Sequence, residues 1–497
     1  MSARYRKSTV ERQSAKKLFS RLQLILFWVV IAAVLTGAAI DLVVTLQVVI
    51  DVILAFSVVY LTLRVVLHIA SSLYEWLGVH PVSIDDPDLP TFTVFVPLYK
   101  EAEMLPSLVA SMEALLYPKR LLQVLLLLEE SDNETMAEAI GMELPDYFEI
   151  VPIPDMMPRG KPKALNVGLE RATGVLSVIY DAEDEPKPDQ LLKAVAGFRE
   201  AEEEVACVQV PLSFKNDEST WRTRFYGTDY DVLFNKVLPG LAKLNLIPPL
   251  GGTSNHFRTP VLRRIAIAPN QLPQGAEGHG GWDPWNVTED AELAGALAVH
   301  GQRIMMVDSV TDELAASGVM NAYRQRKRWL KGYLQTGLMY SRHPVEMIRQ
   351  MGFMRWFVYI LMMLGTPMSL LINPLTWGLT ITYFATRSTF IESLFPAPVF
   401  YTGVTLMLAG NAFLFFQLVG SCVTHEKYGT IRFLPLAPLW WLFISWSAYG
   451  MLWELVRPST RHVWNKTDHS KDLAKEIQRQ AKKTEIDSDL DQILDPV

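Results

Sequence analysis

Apolar positions change their period several times along this 497-residue chain, and each change predicts a different kind of element. Residues 22–40 carry no charged side chain and predict a membrane-spanning helix. Residues 51–71 form a second apolar stretch, with Arg64 and His68 near its far end. Short apolar runs at 92–97, 123–128, 148–153, 175–180 and 206–210 read as buried strands. Between them, 102–115, 134–142, 162–172 and 188–200 have the amphipathic period of helices. Strands alternating with helices predict an α/β fold, with a mostly parallel sheet covered on both faces. Such sheets bind ligands at the carboxyl ends of their strands, so the chemistry is expected just after each run.

Beyond residue 350 the pattern turns apolar again, in blocks at 357–385, 399–423 and 433–456. Gly365, Pro367 and Pro374 break the first block. The third carries Pro435, Pro438 and four tryptophans, Trp440, Trp441, Trp446 and Trp453. Tryptophan prefers the membrane–water interface. Residues 351–365 and the third block therefore read as amphipathic interface or re-entrant helices, leaving 368–386 and 399–423 as spans. Residues 1–21 hold seven Lys/Arg against one acid, Glu11. The positive-inside rule then places the N-terminus, and the globular part at 80–345, in the cytoplasm of a multi-pass membrane protein. A signal peptide is the alternative for the first segment. A second hydrophobic segment follows at once, however, and no small-residue cleavage site stands out. Residues 346–456 hold the interface and C-terminal spanning helices, and 471–497 read as a charged, solvated tail.

Composition narrows the classes. Lys and Arg total 46 and Asp and Glu 53, a net charge of −7, which argues against a nucleic-acid partner. Half of the residues are hydrophobic and the mean hydropathy is +0.16, between a soluble enzyme and a pure helix bundle. Two cysteines, Cys207 and Cys422, exclude a disulfide scaffold.

The candidate chemistry lies where the sheet argument puts it. The first strand runs into Tyr99-Lys100-Glu101, the second into Glu129-Glu130, and the fourth into Tyr180-Asp181-Ala182-Glu183-Asp184. Carboxylates crowded at strand ends can hold Mg²⁺ or Mn²⁺, and through it a diphosphate. They can equally accept hydrogen bonds from a base. Lys161 and Lys163 open a helix, where a phosphate is favoured. Thr288-Glu289-Asp290 opens another; Asp290 suits a general base, and an acid there also suits the helix dipole. Gln325, Arg328 and Trp329 share one face of a third helix by their i, i+3, i+4 spacing. The arginine offers a fork for a diphosphate and the tryptophan a platform for a sugar ring. Arg324, Arg326 and Lys327 suit anionic lipid headgroups.

In this order, between membrane helices, these motifs resemble the processive family 2 glycosyltransferases, the group of cellulose, curdlan, chitin and hyaluronan synthases. The segments Gly251-Gly252-Thr253-Ser254-Asn255-His256-Phe257-Arg258 and Trp282-Asp283-Pro284-Trp285-Asn286-Val287-Thr288-Glu289-Asp290 resemble a bacterial subgroup linked to exopolysaccharide and β-glucan synthesis. The resemblance covers about residues 22–470. It implies a GT-A-type, Rossmann-like nucleotide-sugar domain inserted between transmembrane helices of the bacterial inner membrane. It implies a UDP-sugar donor, UDP-glucose first, and a growing polysaccharide acceptor extruded through the bilayer.

Residue by residue, the resemblance implies that Tyr99, Glu101 and Glu130 flank the uridine. Lys161, or less directly Lys163, would approach the diphosphate. Asp181 with Glu183 or Asp184 would hold the metal. Asp290, within Thr288-Glu289-Asp290, would be the base. Gln325 and Arg328 would hold the leaving group, and Trp329, with His256, would contact the acceptor. Trp464-Asn465-Lys466-Thr467-Asp468-His469, within residues 457–470, resembles a gating loop, with Lys466 and Thr467 reaching the donor. A cytoplasmic gating loop requires an even number of spans, and four are expected. Two departures stand out: Glu129-Glu130 replaces a pair of aspartates, and no cyclic-di-GMP-binding barrel follows the gating segment. The alternatives are a nonprocessive enzyme of the same fold acting on a lipid carrier, and a membrane receptor or scaffold with a degenerate transferase domain.

Overall fold

The computed structural model describes residues 12–265, 281–463, 466, 467, 472 and 474. Its centre is a seven-stranded sheet in the order β3-β2-β1-β4-β8-β6-β9. The strands are β1 (Phe92–Leu98), β2 (Leu122–Glu129), β3 (Phe148–Ile153), β4 (Leu176–Ile179), β6 (Val205–Gln209), β8 (Asn255–Arg258) and β9 (Arg303–Met306). A small second sheet joins β5 (Glu185–Pro186), β10 (Thr311–Glu313) and β7 (Leu212–Phe214). All five apolar runs expected to be strands are strands. Their continuous Val, Leu and Ile content fits a sheet buried on both faces. One face packs Phe95, Leu125, Leu165, Trp282 and Leu293, and the other Phe92, Val94, Leu105 and Leu191.

The sequence pattern did not reveal β8, because Asn-His-Phe-Arg has no apolar run. It is antiparallel to both β4 and β6, while the other main-sheet pairings are parallel. Its direction matters for the site. An antiparallel strand begins where its neighbours end, so the Gly251-Gly252-Thr253 turn before β8 arrives at the carboxyl end of β4.

Four helices are long and apolar enough to cross a membrane: Arg21–Ile40, Leu42–Ser71, Phe353–Thr386 and Ala397–Thr424. Two boundaries differ from expectation. The second helix begins at Leu42, capped by the Asp41 carboxylate on the Val44 amide, rather than at residue 51. The expected division of 351–386 into an interface helix and a span is replaced by one 34-residue helix with Pro367 and Pro374 inside it. A proline removes one backbone donor without ending a helix whose neighbours pack around it. Here the Thr366 and Tyr60 hydroxyls lie 2.8 Å apart, joining the third long helix to the second. The tryptophan-rich block forms the helix Ala437–Val456, which packs Trp440, Ala448 and Met451 into one cluster with Phe225, Tyr226, Leu330 and Leu334.

Candidate active site

Each side chain at the strand ends is set by a local device. After β1 the chain turns through Lys100, whose φ of 55° lies in the left-handed region. The turn is fixed by the Lys100 amide donating to Asp132 Oδ2 at 2.5 Å and the Glu101 amide donating to Thr135 Oγ1 at 3.0 Å. This places Tyr99 and Glu101 on the wall of a cavity. Lys466 Nζ docks on the same turn, donating to the Tyr99 carbonyl at 2.5 Å and the Lys100 carbonyl at 2.8 Å, and pairing with Glu101 at 2.9 Å. Burial pushes the Glu101 carboxyl up to about 7, against the pull of Lys466 and with Glu183 adding to the rise.

The helix Lys161–Arg171 is drawn against the sheet at Gly168, where a Cβ would meet Leu127 at 2.9 Å and Phe95 at 3.1 Å. Its first residue, Lys161, is thereby aimed across the strand ends. Lys161 Nζ pairs with Asp181 and donates to the Gly252 carbonyl at 2.7 Å. Burial works against its charge, but Asp181 and Glu289 outweigh it and raise the Lys161 pKa. Lys163 points elsewhere, buried against Glu129 at 2.6 Å and the Pro154 carbonyl at 2.9 Å, and does not line the cavity.

The loop after β4 separates the three acids. Asp181 and Glu183 line the cavity, and Asp184 does not. The Asp184 carboxylate turns inward, its Oδ2 accepting from the Asp181 amide at 2.7 Å and from the Thr253 hydroxyl. Its Oδ1 is buried with no partner among the described residues. Burial, then Asp181 and Glu183, push the Asp184 carboxyl well up. Asp184 thus shapes the loop that presents the other two.

Thr288-Glu289-Asp290 opens the helix Glu289–Val299. The helix Val319–Tyr340 presses on it at Gly332, where a Cβ would lie 2.1 Å from Thr288 Oγ1, so only glycine permits this approach. A Cβ on Gly252 would sit 3.5 Å from Asp290 Oδ2 and 4.0 Å from Lys161 Nζ, which puts these two groups around one glycine. Burial raises the Asp290 pKa, partly offset by Lys161 and Arg328. Burial and the neighbouring Asp290 push Glu289 up to about 7.

Gln325, Arg328 and Trp329 line the same cavity from the Val319–Tyr340 helix. Arg328 Nη1 lies 3.5 Å from the Val287 carbonyl. Gln325 Oε1 and Thr467 Oγ1 are buried with no partner among the described residues. Trp329 lies 5.8 Å from the Tyr230 ring at 31° and meets Tyr226 edge-on at 6.2 Å. The segment leading to Lys466 is anchored by Lys331, which donates to the Thr460 and Val463 carbonyls at 3.1 Å each, and by Gln335, which donates to the Arg461 carbonyl at 3.0 Å.

Several expectations are corrected. His256 does not reach an acceptor: it is fully buried in β8, edge-on to Phe92 and Tyr180. Glu130 is exposed and off the cavity wall, and the buried Glu129 stands there instead. Arg326 and Lys327 are not free for lipid. They pair with Asp229 at 3.2 Å and Glu454 at 2.5 Å, because their helix is packed within the protein rather than lying on a bilayer. Trp464, Asn465, Asp468 and His469 lie outside the described residues, as do residues 475–497. The sequence reading missed Glu313, which comes from the three-residue β10 and lines the cavity beside the acids. Burial, then Asp184, Glu183 and Asp181, push its carboxyl well up. So short a strand leaves no periodic signal.

The cavity is about 2090 Å³ and continues past Trp329 between the long apolar helices. There its wall includes Asn373, Thr376, Thr380 and Asn411 among apolar neighbours such as Leu54 and Met407. Hard carboxylate oxygens at Asp181 and Glu183 suit Mg²⁺ or Mn²⁺. Among the described residues no group of three or more His, Cys, Asp or Glu could hold an ion. A pair of carboxylates suits a cation that also rests on substrate phosphates.

Comparison with known proteins gives a consistent family. The model of the glycosyl transferase family group 2 matches residues 178–453. The probable glycosyltransferase YdaM of Bacillus subtilis is 24% identical over 291 residues, 57% of this chain and 65% of its own length. The probable glucomannan 4-beta-mannosyltransferase 1 of Arabidopsis thaliana is 21% identical over 282 residues, 52% of this chain and 46% of its own. The chain thus spans less than two thirds of each of these curated relatives. Among solved structures, the mannosyltransferase PcManGT from Pyrobaculum calidifontis, in complex with GDP-Man and Mn²⁺, superposes with a TM-score of 0.51 at 18% identity, over 82% of this chain and 99% of that one. It shares the GT-A-like mixed α/β fold.

Proposed function

The chain belongs to glycosyl transferase family group 2 and is a family 2 glycosyltransferase; from that premise we propose that it polymerises a UDP-hexose, UDP-glucose first, into a β-linked polysaccharide that leaves through the membrane. The observation that carries this reading is the single cavity joining the strand-end acids to the space between the long apolar helices. A polymerase needs one path for donor, base and product. The polar groups Asn373, Thr376, Thr380 and Asn411 along the inner wall suit a hydroxyl-rich, uncharged chain.

In this mechanism Asp290 accepts the proton of the acceptor hydroxyl. Its burial raises its basicity, and Lys161 and Arg328 stabilise the ionised state in which it acts. Single displacement on an α-linked donor then yields a β-linkage. Lys161, Arg328 and Gln325 receive the departing diphosphate, and Tyr99 and Glu101 hold the base of the nucleotide. Trp329 seats the terminal sugar at the mouth of the inner path. Asp181 and Glu183 would hold a divalent cation, which when bound neutralises diphosphate charge. Lys466 exchanges its Tyr99, Lys100 and Glu101 partners for the donor as the gate closes.

Asp290→Asn tests the base. Transfer should fall by roughly 10²–10⁴-fold while UDP binding persists; retained synthesis overturns the assignment. A second reading, GDP-mannose as donor, is favoured by the mannosyltransferase names among the relatives. A donor screen reading nucleoside-diphosphate release decides between them, and product length on a gel separates polymer from single addition to a lipid.

A further inference from the structure

The segment just before the first long helix is built into the molecule behind the base. Arg12 is buried, and its guanidinium grips Glu292 with two bonds, Nε to Oε1 at 3.3 Å and Nη2 to Oε2 at 2.5 Å. Its Nη1 donates to the Ile265 and Gly281 carbonyls at 2.7 Å each. Two residues on, Ser14 Oγ donates to Asp283 Oδ1 at 2.8 Å and the Ala15 amide donates to Asp283 Oδ2 at 2.6 Å. Lys16 Nζ lies 5.3 Å from the centre of the Trp285 ring. Arg342 ties the segment from the other side, donating to the Ser14 carbonyl at 3.0 Å. Gln23 completes the attachment: its side chain caps the first long helix at Ser20 and donates to the Leu338 carbonyl at 2.8 Å.

Three of these partners, Asp283, Trp285 and Glu292, lead to the reacting groups. Asp283 and Trp285 lie on the loop that delivers Thr288-Glu289-Asp290. Glu292 stands two positions after Asp290, about 200° around the same helix at 3.6 residues per turn. Asp290 therefore faces the cavity while Glu292 faces the strap. Glu292 also accepts from the Tyr340 hydroxyl at 3.2 Å, at the end of the helix that carries Gln325 and Arg328. A lysine could not replace the arginine fully, since only the planar fork reaches the carboxylate twice and two carbonyls as well.

We infer that residues 12–23 form a strap that sets the position of Asp290 relative to the leaving-group helix, with Arg12 as its positioning residue. Thereby the first long helix is mechanically joined to the base. The inference rests on Asp290 as the base, and it makes a kinetic prediction distinct from that reading. A base displaced by a fraction of an ångström slows the chemical step and leaves the donor site, built from Tyr99, Glu101, Lys161 and Asp181, as it was.

The test uses the full chain in detergent or nanodiscs, with donor KM, kcat and UDP affinity measured on one preparation. Arg12→Ala should lower kcat by roughly tenfold to a hundredfold, with donor KM and UDP affinity within about twofold. Arg12→Lys should recover part of the loss. Ser14→Ala removes one bond to Asp283 and leaves the ion pair; it should lower kcat a few-fold with the same unchanged KM, and it decides alone if Arg12→Ala does not fold. Unchanged kcat, or kcat and UDP affinity falling together, overturns the strap. Run alongside, an inactive Asp290→Asn with normal Arg12→Ala kinetics sinks the strap alone, whereas an active Asp290→Asn sinks the base.

Discussion

On the cavity side of the Glu289–Val299 helix stand Asp181, Glu183, Glu289 and Asp290; on its far side stand Asp283 and Glu292. Asp283, Glu292 and Glu289 are buried, whereas Asp181, Glu183 and Asp290 are half-buried on the cavity wall. The far-side acids are saturated by fixed donors: Asp283 takes the Ala15 amide, the Trp285 amide and the Ser14 hydroxyl, and Glu292 takes a bidentate guanidinium and a tyrosine hydroxyl. The cavity-side acids face lysines on long, flexible stems, Lys161 against Asp181 and Lys466 against Glu101. Backbone amides occur on both sides, the Ala291 amide on Asp290 and the Tyr99 amide on Glu101 among them; what the far-side acids lack is a lysine head that a ligand could displace. Burial alone does not separate the two groups, since Glu289 is buried on the cavity side. What marks the cavity-side acids is the kind of partner they hold.

The comparison breaks most visibly on the far side. Glu292→Ala leaves the Arg12 guanidinium buried without its counter-charge, and the loss of one member of a buried pair costs about 3–5 kcal/mol. Thermal unfolding of the purified protein should show the largest drop of any single substitution named here. A stability within the noise of the wild type would mean that the strap is not held by this pair.

Asp181→Asn is the matching change on the cavity side, and it should act on rate more than on stability. Transfer should fall by more than the roughly 10–100-fold that loss of an outer-shell metal partner costs. Stability should fall less than in Glu292→Ala, because Asp181 is itself part-exposed, Glu289 still faces Lys161, and one charge leaves a crowded acidic loop. Fluorescence or thermal-shift titration with Mn²⁺ in the presence of UDP reads the same change directly. An Asp181→Asn variant destabilised as far as Glu292→Ala, with normal transfer, would reverse the two regions.

The division was only half legible in the chain. Five strands and the cavity-facing motifs stood out because buried strands are apolar runs and acids at their ends interrupt them. Asp181, Asp290, Gln325, Arg328 and Trp329 all line the one cavity. The far side gave no such signal. Arg12 sits in a run of basic residues that reads as a membrane flank, and Glu292 is one more acid in a helix's first turns. Only the fold, which brings residue 12 against residue 292, makes them partners. Glu129 and Glu130 show the finer limit: a strand's alternation puts one of two adjacent acids inside, and the last residue of β2 decides which. His256 misled for the opposite reason, since a histidine near a glycine turn looks chemical until β8 carries it between β4 and β6.

The smallest effect sharpens the contrast by sign. Glu289 has an ordinary carboxyl value of 4.5 when exposed and is pushed up to about 7 in the folded chain, first by burial and then by Asp290. Below 4.5 both folded and unfolded chains keep this proton, and stability does not depend on it. Between 4.5 and about 7 the unfolded chain releases the proton first, so stability falls as pH rises. Above that window both states are ionised and the slope ends. Glu289→Gln removes the titration, and should flatten the decline in melting temperature over this interval and leave the variant slightly more stable than the wild type near pH 8. Glu292→Ala moves stability the other way at the same pH. If Glu289→Gln also destabilised the protein, Glu289 would belong with the saturated acids of the far side, and the line between the two regions would have to be redrawn one residue closer to Asp290.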